Sequence, residues 1–385
     1  MQSHQAKLQQ TETQLASGKR ILKPSDDPSG AAKVLDLTST IDVIDQFSRN
    51  VSAAESSLAL EENVIGSANN SLQRIRELAV QGNNATLTNE ARSSISQEIY
   101  QRLDELTALA NTRDARGEYI FGGNRVDAPP FVNTAGVVSY QGDQGQRFVQ
   151  IGEGTQVAVR DTGDAVFQRI RGGDGKIEVV SSPTNTGTGL VGSFGQSSGA
   201  ITDTYTVTFA RLNATSPITY TVTNSGGGTV SSGTYTAGSS IGFAGVNFRM
   251  DGVPANGDTV TVQPAQYRDV FSSVKSMADA LARPAASPAE KARLSNDLNR
   301  GLANLDQALG HFSNIRSAIG SRLNNIESIE SINQDLKLQL ETVVSETQDL
   351  DFAEAISRFN LQLTSLKAAQ QAFIKTSELS LFQYL

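Results

Sequence analysis

The sequence predicts an α+β fold in which both ends of the chain form a long antiparallel helical coiled-coil or bundle arm and the middle forms a β-rich insert domain. Two observations lead to this prediction. Apolar residues recur at a step of seven near both ends of the chain, and the apolar period falls to two in the middle. A sustained step of seven keeps one face of a helix against a partner helix, whereas a period of two is typical of strands.

The helical prediction rests on two apolar ladders, which we expect to face each other in one rod seam. The N-terminal ladder keeps its step of seven without a break and consists of Leu37, Ile44, Val51, Leu58, Ile65 and Leu72. The C-terminal ladder advances mostly by three and four residues, and its seam residues are Leu323, Ile326, Leu336, Leu340 and Val343. The alternative interpretation is an ordinary buried helix core without a supercoil.

Proline and capping signals predict the elements at the N-terminal end. Residues 1–23 are predicted to form a short amphipathic helix that ends near Gly18 or just beyond. The segment 23–30 interrupts it, because its two prolines remove hydrogen-bond donors and push the preceding residues out of helical geometry. Asp26 or Asp27 is then predicted to cap a long helix over residues 28–82.

The middle of the chain differs in composition from both ends. A third helix is predicted to begin near Thr88, after the Gly and Asn residues that end the long helix. Over residues 119–266 the chain is rich in Gly, Thr, Ser and Val, and apolar residues alternate with threonine. Turn sequences such as that at residues 255–258 separate the alternating stretches, so this part is predicted to be β-rich. The helical pattern resumes at Tyr267, pauses at residues 284–288 and continues to the C-terminus.

The matching ladders on either side of the insert indicate that the two helical halves make one domain into which the β-rich segment is inserted. We therefore expect three regions. A terminal helical assembly region comprises residues 1–27 and 351–385, a helical rod domain comprises residues 28–118 and 267–350, and a β-rich insert domain comprises residues 119–266.

Composition argues against several classes of function. The chain has no cysteine, which excludes cysteine nucleophiles, cysteine zinc sites and disulfides. Its net charge of −8 argues against nucleic-acid binding, because such an interface needs a concentrated basic face. No stretch approaches the ~20 apolar residues that span a bilayer, and the N-terminal segment lacks the apolar core of a cleaved signal peptide.

Two segments that resemble catalytic or binding motifs are better explained as turns. Asp26 and Asp27 have no histidine or third carboxylate close in sequence, so a helix cap is favoured over a metal site. Residues 172–176, GGDGK, lack the first glycine and the following Ser or Thr of a phosphate-binding loop. We expect no catalytic, cofactor-binding or metal-binding residues and no enzymatic activity.

The C-terminal segment carries more apolar surface than the short N-terminal helix can cover. We expect the uncovered remainder to associate with other subunits, since large exposed apolar patches usually mark interaction sites. The residues assigned to this assembly interface are Leu8, Leu15, Phe359, Leu363, Leu366, Phe373, Leu381, Phe382 and Tyr384.

Three segments resemble a known family. The stretch 15–33, LASGKRILKPSDDPSGAAK, is followed by the long heptad helix, and together they resemble the N-terminal region of the bacterial flagellin family. Within that family, residues 117–131, GEYIFGGNRVDAPPF, and the ending 380–385, SLFQYL, resemble the hook-associated members, which join the hook to the filament. The resemblance covers both helical arms and extends only loosely to the β insert.

This resemblance implies a non-enzymatic structural adaptor subunit of the bacterial flagellum, joined to its neighbours by helix packing at the hook–filament junction. The implied partners are other copies of the chain, a neighbouring hook-associated protein, flagellin, and an export chaperone on the C-terminal helix. Relatives leave the cell through the flagellar type III export apparatus, so an extracellular location without a cleaved signal peptide is expected. Two alternatives stay open, namely flagellin itself and a surface binding module on a coiled-coil stalk.

Overall fold

The computed structural model of the protein describes residues 2–134, 136–199, 201–213 and 215–378. Long helices lie on both sides of a strand-rich middle part, which confirms the predicted α+β class. The helices are α1 (Gln2–Ser17), α2 (Pro28–Gly82), α3 (Asn89–Ala110), α4 (Val270–Ala282), α5 (Pro288–Gln348) and α6 (Phe352–Glu378).

The strands lie between α3 and α4. They are β1 (Phe131–Thr134), β2 (Val137–Tyr140), β3 (Phe148–Gly152), β4 (Thr155–Ala158), β5 (Ile170–Arg171), β6 (Ile177–Ser181), β7 (Leu190–Gln196), β8 (Tyr205–Ala210), β9 (Ile218–Thr223), β10 (Thr229–Tyr235), β11 (Ser240–Phe243), β12 (Val246–Asp251), β13 (Thr259–Pro264) and β14 (Tyr267–Arg268). The largest sheet has the order β10–β9–β8–β13–β6, and a second sheet has the order β11–β12–β7. The other strands form the pairs β1–β2, β3–β4 and β5–β14.

Helix α2 has the bounds that the sequence predicts, because both of its ends carry specific signals. Oδ1 of Asp27 accepts a hydrogen bond from the backbone N–H of Gly30 at 3.0 Å, so Asp27 is the residue that caps the helix. At the other end Gly82 packs closely on Leu281 of α4. A Cβ atom on Gly82 would lie only 2.5 Å from Leu281 Cδ2, which leaves room for glycine alone without a local shift.

The first helix ends close to the predicted position. Within residues 1–23 it was expected to end near Gly18 or just beyond, and α1 ends at Ser17. Gly18 has a φ of +70°, a left-handed conformation that glycine adopts at little cost and that commonly ends a helix. The backbone N–H of Gly18 still donates to the carbonyl of Gln14 at 2.9 Å. Residues 18–27 therefore form a separate linker between α1 and α2.

The prediction that the helical pattern resumes at Tyr267 is wrong by three residues. Tyr267 begins the short strand β14 and lies opposite Arg171 of β5. The helix begins at Val270, because the side chain of Asp269 accepts a hydrogen bond from the backbone N–H of Ser272 at 2.6 Å. The capping aspartate, rather than the apolar pattern, sets the start of α4.

The chain divides into two compact units, which are described separately. The first unit comprises residues 1–53, 150–156 and 325–385, and the second comprises residues 54–149 and 157–324. The first unit thus holds α1, α6, the beginning of α2 and the end of α5. The second unit holds α3, α4, the other parts of α2 and α5, and most of the strands. The predicted division into terminal region, rod domain and insert stays a prediction.

The strand-rich part of the second unit has a core built from alternating residues, as the period of two predicts. Val207 and Phe209 of β8 and Val222 of β9 are fully buried. They share one apolar cluster with Phe248 and Met250 of β12, so the five-stranded and three-stranded sheets contribute to the same core. Threonines occupy most of the alternate positions of β8 and β9.

A second core in the same unit consists of aromatic rings from distant parts of the chain. The ring centroid of Phe167 lies 5.1 Å from that of Phe121, 5.4 Å from that of Phe131, 5.7 Å from that of Phe271 and 5.5 Å from that of Phe312. All five rings are almost fully buried. Phe121 belongs to the GEYIFGG segment, so this part of the family resemblance has a structural basis in the aromatic cluster.

Helices α2 and α5 run antiparallel, as predicted. In the first unit Nζ of Lys337 lies 2.6 Å from Oδ1 of Asp45. Two comparable ion pairs join the helices in the second unit, Glu62–Arg316 at 2.6 Å and Arg76–Asp306 at 2.7 Å. The closer a paired residue lies to the C-terminus of α2, the closer its partner lies to the N-terminus of α5. Such exposed pairs add little stability, but they identify the register.

Two asparagines hold the tip of the β3–β4 hairpin in the first unit. Nδ2 of Asn50 in α2 donates to the carbonyl of Gln150 at 2.8 Å, and Nδ2 of Asn333 in α5 donates to the carbonyl of Ile151 at 2.9 Å. Asn333 is buried, although it lies among the apolar residues of the C-terminal ladder. The two amides thus bind consecutive backbone carbonyls of β3.

Candidate assembly surface of the terminal helices

Helices α1 and α6 pack against each other in the first unit and run antiparallel. Gly18, just after α1, faces Phe352 at the start of α6, and a Cβ atom on Gly18 would lie 3.6 Å from Phe352 Cζ. About two turns earlier in α1, the hydroxyl of Thr11 donates a hydrogen bond to Oε1 of Gln362 at 3.0 Å. The two ends of the chain therefore meet, as the predicted arm requires.

Polar side chains occupy the most buried positions of α1. Thr11 is 3% exposed and Gln14 is 8% exposed, whereas the predicted interface residues Leu8 and Leu15 are only half-buried. Thr11 contacts α6 directly, so the two leucines flank this contact and each keeps part of its surface open. The sequence pattern placed the leucines correctly in the helix but missed Thr11, because threonine carries no apolar signal.

Helix α6 leaves much apolar surface uncovered. Of the predicted interface residues, Phe359, Leu363 and Leu366 are half-buried and Phe373 is 59% exposed. The other large apolar side chains exposed on α6 are Phe352, Ile356, Leu361 and Ile374. Leu361 was missed because it lies off the three-and-four spacing of the ladder. The predicted residues Leu381, Phe382 and Tyr384 lie outside the described residues.

The exposed apolar surface of the first unit extends beyond α6. Leu35 and Val43 of α2 are exposed, as are Ile332, Leu336 and Leu338 of α5. The first unit is less than a third of the chain, yet it holds more than half of the large exposed apolar side chains of the described residues. Exposed apolar surface of this extent is common at interaction sites of proteins.

The residues predicted for the rod seam differ in burial. On α2, Ile44, Val51, Leu58, Ile65 and Leu72 are buried and Leu37 is half-buried. On α5, Ile326 is buried, Leu323, Leu340 and Val343 are half-buried, and Leu336 is 42% exposed. Burial of the α2 ladder thus increases towards the second unit. The assignment of all eleven residues to one continuous seam stays a prediction.

The paired aspartates of the linker, Asp26 and Asp27, bind backbone N–H groups rather than a metal ion. Oδ2 of Asp26 accepts hydrogen bonds from the backbone N–H groups of Leu22 and Lys23 at 3.1 and 2.9 Å. The Gly30 N–H and the Ser29 hydroxyl that donate to Asp27 hold the pKa of its carboxyl below the usual value. Among the described residues, no group of three or more His, Asp or Glu is placed to hold a metal ion.

A buried charged cluster lies in the second unit, and sequence reasoning missed it. Arg160 is 6% exposed, forms an ion pair with Asp114 and donates from Nε to the hydroxyl of Ser57 at 3.0 Å. Next to it, the guanidinium of Arg322 binds both carboxylate oxygens of Asp161 at 3.0 and 2.9 Å. The cluster ties α5 and the loop after α3 to the segment that follows β4.

Glu61 of α2 is the unusual member of this cluster. Its side chain is 1% exposed, Oε1 accepts a hydrogen bond from the backbone N–H of Asp161 at 3.0 Å, and Oε2 has no hydrogen-bond partner. Burial and the nearby carboxylate of Asp161 raise the pKa of Glu61 from 4.5 to about 8, against a smaller opposite effect of the two arginines. Glu61 is therefore mostly protonated at neutral pH.

A groove of about 440 Å³ lies in the second unit beside β6, β7 and α5. Three of the charged side chains that line it belong to ion pairs. Asp297 binds Arg283 and Arg300, and Asp306 binds Arg76. The remaining charged side chain, that of Asp174, accepts hydrogen bonds from the backbone N–H groups of Lys176 and Ile177. The charged groups that line the groove are thus held by structural contacts, which gives no support to catalysis there.

Comparisons with known proteins agree with these observations. Residues 1–125 match the bacterial flagellin N-terminal helical region. The flagellar hook-associated protein 3 of Escherichia coli strain K12 is 24% identical over 96% of this chain and 90% of its own length. The crystal structure of flagellar hook-associated protein 3 from Legionella pneumophila is 34% identical, covers 80% of this chain and 97% of that chain, and superposes with a TM-score of 0.76.

Flagellins match a much smaller part of the chain. The phase 1 flagellin of Salmonella naestved is 37% identical over 113 residues, which are 29% of this chain and 22% of the flagellin. None of the described helices is long and apolar enough to cross a membrane.

Proposed function

The chain belongs to the flagellar hook-associated protein 3 family, and we infer that it is a structural subunit of the junction between the flagellar hook and filament. We propose that neighbouring subunits are joined there by packing of α1 and α6. The observation that supports this mechanism is the apolar surface that one copy leaves uncovered on α6. Phe373 is 59% exposed and Leu361 is 71% exposed, although both are large enough to contribute strongly when buried.

The proposed partners are other copies of the chain within the junction, a neighbouring hook-associated protein on one side and flagellin on the other. Each exposed leucine or phenylalanine contributes about 1.5–3 kcal/mol when it becomes buried. Several such residues on each subunit, repeated around an assembly, add up to a firm joint. Helix α1 has only 16 residues, close to the length below which an isolated helix is marginal, so packing against neighbours adds to its stability.

We also propose a non-enzymatic role, an extracellular location and export without a cleaved signal peptide. Before assembly, the apolar face of α6 is open to an export chaperone, which would keep copies of the chain from associating early. The paired charges of the groove beside α5 and the capping roles of Asp26 and Asp27 support a role without catalysis.

Two alternative functions have less support. If this chain were a flagellin, it would be expected to match flagellins over its whole length. The match to the phase 1 flagellin covers only 29% of the chain. A surface binding module would need a set of aromatic or charged anchors on the insert. The aromatic residues Phe209 and Phe248 of the insert are buried in its core instead.

The assembly proposal is tested by placing one charge on the exposed face of α6. Phe373→Asp should leave the monomer folded, because the side chain makes little contact within it, but should weaken association roughly tenfold or more per contact. Gln370→Asp is the matched control, since it adds the same charge at another exposed position of α6. Circular dichroism checks the fold, and cells that lack the native protein and produce each variant are examined for shed flagellin.

Cells with Phe373→Asp are expected to shed flagellin into the medium, and cells with Gln370→Asp are expected to keep their filaments. Full retention of filaments with Phe373→Asp would contradict the proposal. Loss of the strand signal of the insert in circular dichroism would show that the substitution damages folding, and Leu361→Asp then takes its place.

A further inference from the structure

Residues 159–163, which we call the connecting segment, join β4 to a short helical segment at Asp164–Gln168 in the second unit. Three of its backbone N–H groups donate to acceptors outside the segment. These bonds run from Val159 to the carbonyl of Arg147 at 3.1 Å, from Asp161 to Oε1 of Glu61 at 3.0 Å and from Gly163 to the carbonyl of Phe121 at 2.9 Å. The acceptors lie before β3, in α2 and in the GEYIFGG segment, so the connecting segment is bound to three separate parts of the unit.

The connecting segment also packs against the aromatic cluster. A Cβ atom on Gly163 would lie 2.7 Å from Cε2 of Phe131 and 2.7 Å from Cε2 of Tyr140, so the backbone of Gly163 lies directly on both rings. Phe167 follows in the short helical segment and is fully buried in the cluster. Movement of the connecting segment away from α2 would therefore expose part of this core to water.

The two arginines near Glu61 are bound to other carboxylates. Arg160 forms an ion pair with Asp114, and the guanidinium of Arg322 binds both carboxylate oxygens of Asp161. Within the part of the chain that the structure describes, neither guanidinium donates a hydrogen bond to Glu61. An ionised Glu61 would thus lack a bonded cation.

The remaining charged groups of the cluster are paired as well. Glu118 binds Arg147 at 2.9 Å and Arg160 at 3.4 Å. The side chain of Glu61 is only 1% exposed, and its Oε2 is buried without a hydrogen-bond partner. A buried carboxylate without a bonded cation is costly, so the closed site favours the protonated acid.

We propose that Glu61 is a proton-dependent lock, which keeps the connecting segment bound to α2 while it carries a proton and releases the segment locally when the proton is lost. An ionised carboxylate needs water, and water reaches Glu61 only if the segment moves away. The raised pKa of Glu61, about 8, agrees with this geometry. Release should become easier as pH rises from about 4.5 to 8 and should level off above that, because the closed state binds the proton more tightly. The lock concerns contacts within one copy and does not rest on the proposed function.

Hydrogen exchange resolved to single amides tests the lock at about pH 5.5 and about pH 7.5, both inside this range. The protection factors of the Val159, Asp161 and Gly163 amides should fall together in the native protein, by roughly 50- to 100-fold across these two pH units. Glu61→Gln keeps an acceptor for the Asp161 N–H but has no proton to release, so its protection factors should stay constant. Glu55→Gln changes an exposed carboxyl group on the same helix and should behave like the native protein.

Urea distinguishes local release from unfolding of the whole protein. Local release exposes little new surface, so exchange in the connecting segment should be insensitive to urea below the unfolding transition and faster than exchange of Val207 and Phe209 in β8. Equal rates and equal urea dependence in both places would overturn the lock, because global unfolding would then explain the exchange. Faster exchange of the Asp161 amide alone would also overturn it, since one bond would then open without release of the segment.

A second variant covers the case in which Glu61→Gln fails to fold. Asp161→Asn removes the neighbouring negative charge and leaves Arg322 free to bind Glu61, so Glu61 should lose its proton at a lower pH. The protection factors of Val159 and Gly163 should then fall clearly less between the two pH values than they do in the native protein. An equal fall in this variant would overturn the lock, as would constant protection in the native protein itself.

Discussion

The backbone N–H of Asp161 donates a hydrogen bond to Oε1 of Glu61 at 3.0 Å, at a site where the glutamate side chain is 1% exposed. The same Asp161 uses its carboxylate to bind Arg322 of α5. Glu61 is thus held beside the carboxylate of Asp161, and its other oxygen, Oε2, has no partner. A proton on Glu61 removes the repulsion that a second buried negative charge would cause.

We predict that the stability of the protein falls as pH rises between about 4.5 and 8. In this window the folded protein keeps a proton on Glu61, whose pKa is raised to about 8, while the unfolded chain has released it. The unfolding free energy should therefore fall by about 1.4 kcal/mol per pH unit from this group and level off above its folded pKa. Urea unfolding at several pH values inside and above the window measures the slope.

Glu61→Gln should abolish this slope, because glutamine has no proton to release, and should make the protein more stable than the native chain at alkaline pH. Glu55→Gln is the control on the same helix, since Glu55 is exposed. A Glu61→Gln variant that keeps the native pH dependence would assign the slope to other groups.

We predict that the Thr11–Gln362 hydrogen bond stabilises the pairing of α1 with α6. Thr11→Val keeps the shape of the residue but leaves Oε1 of Gln362 without its donor, and this should cost about 1–3 kcal/mol. Amide hydrogen exchange should therefore speed up in α1 and hardly change in the second unit. Thr11→Val combined with Gln362→Leu removes both polar groups and should recover most of the protection. Slow exchange in α1 of the single variant would contradict the predicted role of this bond.

We predict opposite effects for two glycine substitutions on α5. A Cβ atom on Gly301 would lie 2.2 Å from Cγ of the buried Met277, so Gly301→Ala should destabilise the second unit by about 1–3 kcal/mol through overpacking. Gly310 has no neighbour within 4 Å of such an atom, so Gly310→Ala should stabilise the helix by about 1 kcal/mol. Thermal unfolding measures both. Equal shifts in the same direction would show that helix propensity, rather than contact with α4, decides the outcome.

Much of the fold follows from local sequence signals. The bounds of α2 were predicted from the capping aspartates and the final glycine, and the alternation of β8 and β9 was predicted from their period. These signals are local because a cap or a strand face involves residues close together in the chain. The end of α1 near Gly18 was predicted as well, but the contact of Gly18 with Phe352 was not, because the two residues are distant in sequence.

Less of the candidate site was accessible to sequence reasoning. The apolar pattern identifies residues that pack somewhere, so it found Phe359 and Phe373 but could not tell the half-buried one from the exposed one. It missed Thr11 and Asn333, because the role of a polar side chain in an apolar stripe can be assigned only when its hydrogen-bond partner is known. Glu61 was missed for the same reason, since its neighbours Asp161 and Arg322 lie far away along the chain.

The aromatic cluster around Phe167 has a consequence for the order of events during folding. It joins rings from Phe121 to Phe312, so most of the chain must be present before it can close. In a chain that emerges from a ribosome or a narrow pore with its N-terminus first, Phe121 and Phe131 stay exposed to water until α4 and the first part of α5 have emerged. Contacts between such distant residues form slowly, and the late arrival of Phe312 makes completion of this core a final step of maturation.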